Sequence, residues 1–60
     1  MEITINMTTY CKVDGYWRSE EALQYIVEGG EDTYAKYTDL DILIKAALAA
    51  EKGWLVKIEL

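Results

Sequence analysis

The sequence predicts a single small α+β domain, a β-hairpin followed by two helices packed on one face of a three- to four-stranded sheet, in the order β-β-α-(β)-α-β. Three observations carry that expectation. Apolar residues alternate at both ends of the chain, a period of two that belongs to half-buried strands. Between the ends lie two segments with helical spacing and recognisable capping residues. An Asp-Gly pair near the start marks a tight reversal between strands.

In the first strand Ile3, Ile5, Met7, Thr9 and Cys11 fall on one side, with Glu2, Thr4, Asn6, Thr8 and Tyr10 on the other. Asp14-Gly15 then turns the chain into a short return strand through Tyr16, Trp17 and Arg18. Ser19 is placed to cap a helix, and Glu20 and Glu21 suit the positive end of its dipole. Ala22, Leu23, Ile26 and Val27 form its apolar stripe, and Gly29-Gly30 ends it. The segment 33–37 reads as a short strand or an extended loop. Thr38 caps the second helix, with Asp41 completing an acidic variant of the capping box. Leu40, Leu43, Ile44, Ala47 and Leu48 make its main apolar face, and Gly53 stops it. The chain closes as a strand with Trp54, Val56, Ile58 and Leu60 facing one way and Leu55, Lys57 and Glu59 the other, expected beside the first strand.

Sixty residues make one domain, spanning 1–60. A chain of this length buries only about 60 % of the surface its unfolded form exposes, so packing or self-association must stabilise it. One cysteine excludes an internal disulfide, and without histidine a thiolate or imidazole metal site is excluded. No apolar run approaches the roughly 20 residues of a membrane span. The start, Met1-Glu2-Ile3-Thr4, lacks the features of a signal peptide, which leads to the expectation of a cytoplasmic protein. Six basic against eleven acidic residues give a net charge of −5. The basic residues are scattered singly, which disfavours direct nucleic-acid binding, and the charge would steer the chain toward a basic protein surface.

Nucleophilic chemistry lacks a base: Cys11 is the only thiol, and its place on the first strand's apolar side predicts a core residue. Glu28, Glu31, Asp32, Asp39 and Asp41 are carboxylates without the spacing of a calcium loop. No cofactor, metal or catalytic residue is therefore expected. Trp17 and Trp54 are read as core.

Two features point to partners. Beyond its main stripe the second helix is apolar again at Ile42, Ala46, Ala49 and Ala50, so a homodimer or another partner is expected on that side. In mid-chain Glu28, Glu31, Asp32, Asp39 and Asp41, with Tyr34 and Tyr37 among them, form a candidate negative strip able to imitate phosphates before a basic groove, the tyrosines serving as anchors. No family motif is present. In size, acidity and lack of catalytic residues the chain is similar to the inhibitors that phages and mobile elements carry against host nucleic-acid enzymes. That similarity implies a DNA-mimicking, anti-defence inhibitor; the alternative is a structural homo-oligomeric subunit associating through helix 39–52.

Overall fold

The computed structural model describes residues 1–59; Leu60, which the pattern assigned to the last strand's inward row, lies outside them. Strand β1 (Glu2–Ile5) meets a two-residue turn at Asn6 and Met7, where φ is 46° and 70°, and returns as β2 (Thr8–Val13). Two consecutive positive φ values suit the right-handed twist of paired strands, and asparagine tolerates the left-handed region better than most residues. This reversal corrects the expectation of one continuous strand. A two-residue loop pairs Ile5 with Thr8 and so changes the parity of the pattern. Tyr10 joins Ile3 on one face, while Cys11 falls opposite Glu2 on the other. Met7, expected inside, sits at the turn and is 95 % exposed.

Asp14 and Gly15 make the second reversal with φ of 53° and 82°, leading into β3 (Tyr16–Ser19). Strand β4 (Val56–Glu59) pairs with β1, giving an antiparallel sheet in the order β3-β2-β1-β4. The last strand thus lies beside the first, as the sequence predicts. Cross-strand partners share a face, so Ile3, Ile5, Tyr10, Trp17, Val56 and Ile58 form one side. Glu2, Thr4, Cys11, Arg18, Lys57 and Glu59 form the other.

Helix α1 (Glu20–Val27) starts where β3 ends: the Ala22 amide donates to Ser19 Oγ at 3.2 Å. Ala22 is fully buried, and the helix contacts β2 and β3. The segment 33–37 forms no strand; only Tyr37 makes a bridge, to Trp17 at the outer edge of β3. Three strands therefore precede the helices, and the bracketed strand of the predicted order is this single bridge.

Helix α2 (Asp39–Glu51) has the expected capping box, in which the Asp41 amide donates to Thr38 Oγ1 and the Thr38 amide donates to Asp41 Oδ2, each at 3.2 Å. Its orientation overturns the expected face. Ile42, Ala46 and Ala49, at i, i+4 and i+7, enter the core with Ile3, Ile5 and Trp17, while Tyr10, Tyr37 and Val56 pack around them. The sheet side already carries the bulk of Trp17 and two isoleucines. Two alanines let the helix axis approach it closely, whereas a row of leucines would hold it off. Three of the four residues assigned to an oligomer interface are thus internal, and only Ala50 is exposed. Trp54, also expected in the core, is 46 % exposed. Among the described residues, no helix is long and apolar enough to cross a membrane.

Candidate protein-binding surface

Turning the small side of α2 inward turns the large side outward. Leu40, Leu43, Ile44 and Leu48 are 67, 50, 50 and 54 % exposed. Their spacing places them along one side of the helix, with Ala47 among them. In the turn after α2, Leu55 is 82 % exposed, and Trp54 is half-exposed with the Lys52 ammonium 4.9 Å from its ring centroid. Covering a fully exposed leucine is worth about 1.5–3 kcal/mol, so this face has much to gain from a partner.

The helix that presents this face is fixed at its N-terminus. Asp39 accepts from Trp17 Nε1 at 2.7 Å and from Lys12 Nζ at 2.9 Å, joining α2 to β2 and β3. The Lys12 hydrogen bond, and then that from Trp17, hold the Asp39 carboxyl below the usual aspartate range. Beside this anchor lies a hollow of about 200 Å³, bordered by Met1, Ile3, Lys12, Asp39, Leu43 and Ile58. It joins the exposed side of α2 to the inward row of β4.

Four of the five carboxylates of the acidic strip expected from the sequence have partners within the chain. Asp32 pairs with Arg18 at 3.0 Å, and this bond pulls its carboxyl below the usual range. Asp39 is held by Lys12 and Trp17, Asp41 belongs to the capping box, and Glu28 accepts from Gln24 Nε2 at 2.9 Å. Glu31, whose carbonyl accepts from the Thr33 amide, is exposed. The two tyrosines are engaged as well. Tyr34 packs edge-on against Tyr25 with centroids 5.5 Å apart, and Tyr37 meets Tyr10 in the same manner at 5.9 Å. Glu28, Asp32, Asp39 and Asp41 thus each serve a separate structural contact while staying exposed.

A further grouping has no signature in the sequence. Glu2, Cys11 and Glu20, from β1, β2 and α1, bring a ligand atom each within 4.8 Å of the others. Only the parity change at Asn6-Met7, which moves Cys11 to the face of Glu2, could have exposed it. Burial, then the charges of Glu2 and Glu20, push the Cys11 thiol upward. It is therefore protonated and weakly nucleophilic near neutral pH. The expectation that Cys11 lies on the core side with Ile3 is corrected: it is half-buried on the opposite face, beside Arg18 in β3.

No family model, curated protein or solved structure matches this chain.

Proposed function

We propose that this chain acts as a binding protein, with the outer side of α2 and the Trp54-Leu55 turn as its working surface. One observation carries the reading: the helix keeps its alanines inside and displays four large aliphatic side chains, each at least half exposed. A row of exposed apolar side chains along one helix side of a small domain marks a contact site. Tryptophan at its margin fits the composition of interface anchors. A binding role also agrees with a protonated Cys11 thiol in a sequence without histidine.

The narrower expectation of an inhibitor presenting carboxylates to a basic nucleic-acid-binding groove draws less support from the geometry. Asp32 and Asp39 already hold internal cations, and Asp41 serves its own helix. The two readings respond differently to salt. Apolar contact survives high ionic strength, whereas exposed ion pairs are screened within about 3 Å at 1 M salt.

The test immobilises the wild-type chain and an Ile44→Glu/Leu48→Glu variant and probes each with extract of the native host at about 0.15 M and about 1 M salt. Glutamate is a good helix former, so the exposed substitutions leave the circular dichroism spectrum unchanged. A partner held by the wild type at both salt levels and lost by the variant is the expected result. A partner that the variant retains and salt releases would move the working surface to the carboxylates.

A further inference from the structure

We propose that the partner of this surface is a second copy of the chain, joined by antiparallel pairing of β4 with its symmetry mate about a two-fold axis at Ile58. The inference rests on reading the outer side of α2 as a contact surface, and it adds the identity and register of what covers it.

The first support is backbone geometry. Among the described residues, β4 pairs only with β1, so its other edge is unpaired. The Asn6 amide donates to the Leu55 carbonyl at 3.1 Å. Backbone groups alternate in direction along an antiparallel strand, so residues 55, 57 and 59 point their amides and carbonyls toward β1. Val56 and Ile58 point theirs outward. A two-fold axis at Ile58 therefore lets each Ile58 amide donate to the other's carbonyl, a hydrogen-bonded pair at the centre.

The second support is charge. About that axis Lys57 stands opposite Glu59 of the other copy, and Glu59 opposite its Lys57. These are non-hydrogen-bonded positions, where facing side chains come closest. Moving the axis to residue 57 or 59 sets like charges against each other. In the single chain Glu59 lies across from Glu2 of β1, two acids facing each other, with Lys57 beside Glu59 at 2.7 Å and the N-terminal ammonium also acting on it. A lysine from the second copy offsets that pair of acids. Lysine on an edge strand ordinarily discourages pairing. A glutamate two residues on makes the same row self-complementary.

The third support is continuity. On the helix side the axis brings the two Ile58 side chains together, each 48 % exposed in the single chain. Leu43 borders the same hollow as Ile58, so contact begun at the strand extends onto α2. A standard interface takes about 800 Å² from each partner. That is roughly a fifth of the chain's 4385 Å², within reach of one strand edge and one helix side.

Size-exclusion chromatography with light scattering tests the register through charge exchange. The wild type is expected at twice the chain mass of 6.9 kDa. Lys57→Glu and Glu59→Lys, each alone, turn two attractive pairs into two repulsive ones and weaken the dimer on the order of tenfold or more. Mixing the two single variants restores it as a heterodimer, because both acids of the first variant then face lysines of the second. Each variant keeps its own like-charged row, so this rescue cannot arise within one chain. A dimer indifferent to both single changes but lost in Leu43→Glu would overturn the strand pairing while leaving the α2 surface intact. A wild type that stays monomeric at the highest concentration reached, yet holds another protein through Leu48, would remove the second copy and keep the binding reading. A monomer that holds nothing would end both.

Discussion

The two edges of the sheet are finished in different ways. At β3 the chain closes its own border: the Trp17 amide donates to the Tyr37 carbonyl at 2.7 Å, and the Tyr37 amide returns to the Trp17 carbonyl at 2.9 Å. Arg18, 7 % exposed, donates to the Val13 carbonyl and to Asp32, and the Lys36 ammonium lies 5.1 Å from the Tyr16 ring centroid. At β4 no such cover exists among the described residues, and half-exposed Ile58 borders a hollow shared with Leu43. On the first side the edge backbone and the Arg18 terminal nitrogens find partners within the chain, although Arg18 Nε is buried without one among the described residues. On the second, backbone groups and apolar surface stay uncovered among the described residues. The difference separates residues that hold the domain from residues it offers.

The contrast breaks most visibly at Trp17. Trp17→Ala removes a core ring, its bond to Asp39 and the packing beneath the Tyr37 bridge, and is expected to cost about 3–5 kcal/mol. Small domains have little stability to spare, so thermal unfolding by circular dichroism would show no cooperative transition. A sharp transition near the wild-type midpoint would mean that the β3 side does not anchor the fold. On α2 the comparison lies between neighbours. Ile42→Ala, inside, is expected to lower stability by about 2–5 kcal/mol in urea denaturation. Leu43→Ala in dilute solution is expected to change it by about 0.5 kcal/mol or less, as exposed positions do. Equal losses would restore the inward leucine face that the sequence pattern suggested.

Why the pattern chose the wrong side of α2 is instructive. The helix is apolar around most of its circumference, so periodicity selects no unique inward face. Shape decides instead, and shape is set by Trp17, Ile3 and Ile5, which reach the helix from elements distant in sequence. The capping residues, by contrast, are local devices, and Ser19, Thr38 and Asp41 work as their positions predict. Asp14-Gly15 is similarly legible as a turn. Asn6-Met7 is not, because methionine gives no sign of a positive φ, and alternating residues run through the reversal without a break. That missed turn misplaced Cys11 and hid Tyr10 from the core. Spacing along the chain likewise cannot show that Glu28, Asp32, Asp39 and Asp41 each meet a different partner within the chain.

Arg18 tests the closed edge at intermediate cost. Arg18→Met keeps much of the side chain's volume but removes the donors to Val13 and Asp32. The half-exposed Asp32 carboxylate can turn to water, while the Val13 carbonyl loses its partner, so the expected loss is about 1–3 kcal/mol in urea denaturation. A change below the error of the measurement would show that packing of the aliphatic stem, and not the hydrogen bonds of the guanidinium, gives this residue its place.

The smallest expected effect concerns the anchor between the two sides, Asp39. Hydrogen bonds from Lys12, then from Trp17, depress its carboxyl relative to the unfolded chain. A depressed folded value means that stabilisation is fully present above the unfolded aspartate value of about 3.9 and disappears as pH falls through the lower folded value. Asp32 and Glu59, depressed by Arg18 and Lys57, add losses of the same sign. Asp39→Asn keeps an oxygen for the indole but no charge for Lys12. Its urea midpoint should therefore lie below that of the wild type at pH 6, and the two should converge toward pH 2 as the wild-type carboxyl protonates. The other acids titrate in both proteins, so the gap between the curves isolates Asp39. A gap of constant width across that range would mean that the helix start is held by geometry alone, with the charge on Asp39 contributing nothing.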